Sequence, residues 1–291
     1  MHSYLRAIGF SKYKTRKQLE SIYKSTLKDP NRKMITTISI DTSLIQFEKD
    51  FGPSFGLALI GEYGIDGELS IEHYYPYIKA TSYMDYENIY IEKQASKESY
   101  AGMCEDLRLG ITLIFYLQNI SDYAKSKWFN YSNKNFSKIR FSALSTHGTI
   151  LLGIKKSNFQ HITDKLDRRF RDDIISSYRK GDLEALDYLA QNDMIVYESV
   201  ADRLKKEDLL SIIETSIMPC GVECDHYMVI GNIINVQVEK NILTDETIYN
   251  LLIETYDILI NIGINSLDLQ GEPKEGRRFR GEIWLQGHVK I

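Results

Sequence analysis

The sequence predicts an α+β chain: an N-terminal mixed α/β sheet region, a central helical segment and a C-terminal small barrel-like antiparallel β module. Three observations carry this. Apolar residues recur in strand-like runs through much of residues 34–155. They recur at helical intervals from 161 to 216, as in Leu166, Phe170, Ile174 and Tyr178. From Tyr227 the period returns to two, now interrupted by glycine. At 291 residues the chain exceeds one typical core. The expected division is an N-terminal α+β domain at 1–159, a helical segment at 160–216 and a β-rich module at 217–291.

The first element is a helix from Lys14 to Lys28. Thr15 caps it, Gln18 completes a capping box, Leu19, Ile22, Tyr23 and Leu27 share one face, and Pro30 stops it. Met34–Ile40 reads as a strand, followed by a short helical stretch to Phe51 and a break at Gly52-Pro53. Gly56–Tyr63 and Glu68–Ile78 form a hairpin about the turn sequence Gly64-Ile65-Asp66-Gly67. Tyr86–Glu92 and Ala101–Leu117 add strand material, and Asn130–Asn135 reads as an exposed loop. Ile139–Leu144 and Thr149–Lys155 read as a strand pair turning at His147-Gly148. Gly181-Asp182 and Asn192-Asp193 separate three helices in the central segment. Tyr227–Val238, Ile248–Ile264 and Gly281–Ile291 are the expected strands of the last module, Ile248–Ile264 as one long strand.

Composition narrows the function classes. Only three cysteines, Cys104, Cys220 and Cys224, exclude a disulfide framework and point to a cytoplasmic chain. The longest strongly apolar run, Ile111–Leu117, is too short for a bilayer, and the N-terminus lacks a signal-peptide core, so no membrane partner is expected. Residues 1–33 hold nine basic and two acidic side chains, whereas 216–291 hold six and eleven. The basic start is expected to face the chain's own acidic half.

The stretches Tyr4-Leu-Arg-Ala-Ile-Gly-Phe10, Lys97-Glu-Ser-Tyr-Ala-Gly-Met-Cys104 and Thr112-Leu-Ile-Phe-Tyr-Leu-Gln-Asn119 carry a likeness. So do Met218-Pro-Cys-Gly-Val-Glu-Cys-Asp225 and Gly276-Arg-Arg-Phe-Arg-Gly281. Through them the chain resembles, over nearly its whole length, an uncharacterised clostridial family, domain-of-unknown-function family 3881. The resemblance implies no activity, cofactor or catalytic residue.

Read for chemistry, the chain offers fragments. Cys220, Cys224 and His226 supply three zinc-type donors, but the spacing misses C-x2-C and a fourth ligand is lacking nearby, so no metal is expected. Gly52-Pro-Ser-Phe-Gly56 has nucleophile-elbow spacing without the strand before and helix after that the strained turn requires. Gly271–Arg277 has phosphate-loop spacing without its Lys-Ser/Thr. Lys274, Arg277, Arg278, Phe279, Arg280 and Trp284 gather guanidinium groups and aromatics around a turn, a pattern suited to an anion or single-stranded nucleic acid. Tyrosines 74, 75, 77, 83, 86 and 90 suggest a stacking platform. Glu62 and Glu72, with His73 following Glu72, could serve acid–base work if buried, although on alternating strands carboxylates more often face water.

The expectation is therefore a non-catalytic binding or scaffolding protein without a cofactor, taking a protein, a small molecule or a second copy of itself as partner. The alternative is a hydrolase-like enzyme using Glu62, Glu72 and His73 beside the tyrosines. Nucleic-acid binding by the arginine turn is the less favoured third.

Overall fold

The computed structural model describes residues 3–64, 66–94, 99–106, 108–128, 136–154 and 209–291, with isolated positions at 170, 173, 174 and 177. Most of these residues are strand and few are helix, so the architecture is β-rich, and the expected α+β balance is corrected accordingly. The proposed helices between 160 and 208 and the loop at 130–135 lie almost wholly outside the described residues.

Helix α1 (Arg16–Lys28) begins at Thr15 with both halves of the capping box formed. It packs on a four-stranded antiparallel sheet, β1 (Arg32–Thr37), β2 (Ser43–Asp50), β3 (Phe55–Tyr63) and β4 (Leu69–Ile78), in that order. The stretch expected to be helical before Phe51 is strand β2. Leu44, Ile45, Gln46 and Phe47 are all buried there between β1 and β3, a two-faced burial whose sequence lacks alternation. The predicted β3–β4 hairpin forms, with a bulge that makes Glu72 the extra residue beside the Ile60–His73 and Gly61–Ile71 pairs.

The second sheet is built from β5 (Met84–Lys93), β6 (Tyr100–Asp106), β7 (Ile111–Leu117), β8 (Phe136–Leu151), β9 (Ser216–Pro219), β10 (His226–Lys240), β11 (Thr247–Thr255), β12 (Ile258–Asn265), β13 (Leu269–Gln270) and β14 (Arg278–Val289). Its pairings close on themselves twice. β8 and β14 pair antiparallel from Ile139–Val289 to Leu151–Arg278. Toward one end this ribbon is joined by β10, β11 and β12 into a ring. Toward the other end it is joined by β5, β6 and β7 into a second ring. The barrel expected from the C-terminal residues alone thus closes only by recruiting β8, and its β8–β12 contact is parallel.

Two further local expectations are corrected, and one helix is unexpected. β8 is one continuous strand, with no turn at His147-Gly148. Gly148 sits opposite Gly281 across the ribbon, and a side chain at Gly148 would lie 2.4 Å from the Phe279 ring. The glycine is there for close approach, not for a turn. Phe115 fills the second ring in the same way, against Gly102 and Gly287. Ile248–Ile264 is a hairpin, because Tyr256 and Asp257 both adopt positive φ (50° and 61°) and form a two-residue turn. Helix α2 (Ile120–Trp128) follows β7, an element the strand-like run before it concealed.

Buried amides join the two sheets. Gln118 Nε2 lies 2.8 Å from Gln286 Oε1 and 3.0 Å from Ser142 Oγ, and Gln286 Nε2 donates to the Pro76 carbonyl at 2.9 Å. Tyr75 OH and Gln46 Nε2 both donate to the Gln118 carbonyl, at 2.6 and 3.1 Å. Such a network fixes one relative placement, since any slip leaves buried donors unsatisfied. Among the described residues no helix is long and apolar enough to cross a membrane.

Replacing Gly148 by Val is expected to destabilise the chain by about 1–3 kcal/mol through overpacking. Phe279→Leu in that background should return part of the loss. Urea denaturation midpoints of the single and double variants check both.

Candidate functional site

A cleft of about 430 Å³ opens where β4, β7, β10 and β14 meet the N-terminal turn. Two strand irregularities aim its walls. The bulge at Glu72 precedes His73 and Tyr74, and a register shift between Glu282 and Trp284 precedes Trp284. Each re-aims a side chain that regular pleating would place elsewhere.

The cleft's wall is aromatic. Trp284 packs tilted against Tyr4 and Tyr116, with ring centres 5.4 and 5.2 Å away, and Tyr116 lies 4.7 Å from Tyr75. Tyr4 comes from a 3-10 turn (Ser3–Ile8) whose Leu5, Ala7 and Ile8 are buried in the core. Its hydroxyl is 3.4 Å from His226 Nε2. His73 Nε2 is 3.0 Å from the Tyr116 hydroxyl. The Trp284 indole N–H donates to Asp225 Oδ2 at 2.7 Å, and the Leu285 amide to the Asp225 carbonyl at 2.9 Å. Ser3, Gln94, Ser99 and Glu223 add polar lining, and among the described residues no Lys or Arg lines the cleft.

Electrostatics follow from burial and this acidity. Burial raises the Asp225 carboxyl above its ordinary value, opposed by the Trp284 hydrogen bond and the nearby His226. The Tyr4 and Tyr116 phenols are raised, chiefly by burial and further by Asp225, so both remain neutral donors.

The residues singled out from sequence distribute unevenly. His73, His226 and Trp284, read there as three unrelated hints, meet in this one cleft. Glu62 and Glu72 do not line it. Glu72 is exposed, and the Glu62 carboxyl is raised by burial and by Glu72, opposed by Lys93. Cys224 is exposed and Cys220 half-buried, with the Cys220 thiol raised by burial and Glu282. Among the described residues no group of three His, Cys, Asp or Glu side chains is arranged to hold a metal ion.

The arginine turn is dismantled as a surface. Arg278 is only 4% exposed and donates to the carbonyls of Leu152, Ile213 and Leu210 at 2.9, 2.5 and 2.8 Å. Phe279 is buried in the ring interior. Lys274 pairs with Glu272 at 2.8 Å, and Arg277 donates to the Glu272 carbonyl at 2.7 Å. Arg280 is exposed, and Trp284 turns into the cleft. The tyrosines likewise form no single platform: Tyr75, Tyr77 and Tyr86 are buried, while Tyr83 and Tyr90 are exposed. Sequence reading missed Tyr4, Tyr116 and Asp225 as site residues. The adjacency of Asp225 to His226 was the one local signal for any of them.

A family model described as "Domain of unknown function, E. rectale Gene description (DUF3881)" matches residues 5–287, and the chain belongs to that family. No curated protein and no solved structure matches it.

Arg278→Met should destabilise the fold by about 2–4 kcal/mol, because three carbonyls lose a buried charged donor. Chemical denaturation measures this. A loss under about 0.5 kcal/mol would return Arg278 to the surface role the sequence suggested.

Proposed function

We propose that this member of domain-of-unknown-function family 3881 is a cytoplasmic, non-catalytic binding protein whose small-molecule ligand occupies the Tyr4–Tyr116–Trp284 cleft. The observation that carries the reading is an aromatic wall facing two carboxylates, with no basic side chain among the described lining residues. Ring faces and carboxylates both attract positive charge. The ligand class that fits is an organic cation: an amine or quaternary ammonium on a compact apolar body. Three free thiols, Cys104, Cys220 and Cys224, agree with a reducing compartment. The Cys104 thiol is pushed up to about 12 by burial, which leaves it chemically inert.

A second reading, a hydrolase-like enzyme, is supported by His73 and His226 lining the same cleft. Imidazole is the side chain best suited to proton transfer at neutral pH. Against it, Tyr4 and Tyr116 are raised rather than activated, and the Ser99 hydroxyl donates to Gln94 Oε1 at 2.7 Å.

Titration with choline, spermidine and phenethylamine, followed through the Trp284 indole N–H resonance, tests the proposal. At least one should bind saturably and emerge unchanged. Asp225→Asn keeps the acceptor for the indole but removes the charge, and should weaken binding about tenfold, ~1.4 kcal/mol. Affinity should also fall as pH drops through the raised carboxyl range of Asp225, because protonation removes the charge that attracts the cation. If none of the three shifts the indole resonance, or if the bound amine is turned over, the proposal fails.

A further inference from the structure

On the far side of Tyr75 lies a second cavity, of about 180 Å³, with opposite electrostatics. Arg32 of β1, Lys79 beyond β4, Arg140 of β8 and His288 of β14 line it, with Glu48, Asp122, Tyr77 and Asn119. Two of its cations are spoken for. Lys79 pairs with Asp50 at 2.8 Å, and Arg32 stands 3.7 Å from Glu48. Arg140 is not. Its guanidinium plane lies 4.5 Å from the Tyr83 ring centre, its Nη2 is 3.5 Å from His288 Nδ1, and its Nε is buried with no hydrogen-bond partner. Among the described residues no carboxylate lies within ion-pair distance of it.

A half-buried guanidinium without a counter-ion, carrying an orphaned buried N–H, costs free energy that a bound acceptor would recover. The volume equals that of about six liquid waters, enough for one small oxyanion and its hydration. The planar fork of Arg140 matches the paired oxygens of a carboxylate or phosphate. Arg32 enters from the opposite sheet.

We propose that this cavity is a binding site for a small oxyanion, a phosphate or carboxylate group, held by Arg140 and assisted by Arg32 and Lys79. It is separate from the cation cleft and does not depend on it.

His288 reports on the site. Its imidazole is held down to about 4 by burial and by Arg140, against Asp122, with Arg32 adding to the depression. An anion beside Arg140 offsets that positive charge, so the His288 pKa should rise on binding.

Calorimetry in low-salt buffer with inorganic phosphate, and separately with malonate, tests the assignment and distinguishes the two anion types. Saturable binding of either supports the site; phosphate alone or malonate alone identifies the class. Arg140→Gln should weaken binding about tenfold or more, Arg140→Lys should do so partially, and Arg16→Gln on exposed α1 should not. A melting curve establishes that each variant is folded. Should Arg140→Gln fail to fold, Arg32→Gln and the rise of His288 in the unaltered chain decide instead. Absence of saturable binding of both anions, or binding indifferent to Arg140 and Arg32, overturns the proposal.

Discussion

The antiparallel ribbon of β8 and β14 is the constraint on which the rest of the structure depends. Its two strands are bonded to each other along one edge, from Ile139–Val289 to Leu151–Arg278. Each still has a second edge to satisfy, and an unpaired strand edge is both costly when buried and adhesive when exposed. β14 spends its second edge on β10 and then β7, while β8 spends its own on β5, then β12, then β13. Two rings follow from that single division. The small residues along the ribbon follow too, because Phe279 and Phe115 occupy the space that side chains at Gly148, Gly281 and Gly287 would need.

Both proposed sites are consequences of where the ribbon meets the four-stranded sheet. The buried Gln118–Gln286–Pro76 linkage fixes that meeting, and Tyr75 stands in the seam with the cleft on one side and the smaller cavity on the other. The register shift before Trp284 turns the indole toward Tyr4 and Asp225. Four residues further along β14, His288 faces Arg140 across the ribbon. One strand thus contributes to an acidic aromatic site and to a basic one, and the seam keeps the opposite charges apart.

Legibility in the sequence followed the range of the interactions involved. The capping box of α1 and the β3–β4 hairpin were readable because their determinants lie within a few residues of one another. β2 was misread because burial on both faces erases alternation. Gly148 looked like a turn because the residue that requires it, Phe279, is distant in sequence. Tyr256-Asp257 was overlooked because neither residue is the glycine or asparagine that usually marks such a turn. The candidate sites were legible only in pieces. His73, His226 and Trp284 stand out in the sequence for unrelated reasons, and Arg278 reads as a surface group because nothing local reveals the three carbonyls it serves. Four of the five stretches that carry the family likeness each place a residue on the cleft, in Tyr4, Ser99, Tyr116 and Asp225, a convergence visible only once the chain is folded.

The most direct test of the shared ribbon is native-state amide hydrogen exchange across increasing denaturant. The amides of Phe141–Ser145 and Leu285–Gly287 should be among the slowest, and protection in β5–β7 and in β10–β12 should be lost in one cooperative step with them. Loss of the two strand sets at clearly different stabilities, with β8 and β14 following only one, would contradict a common wall.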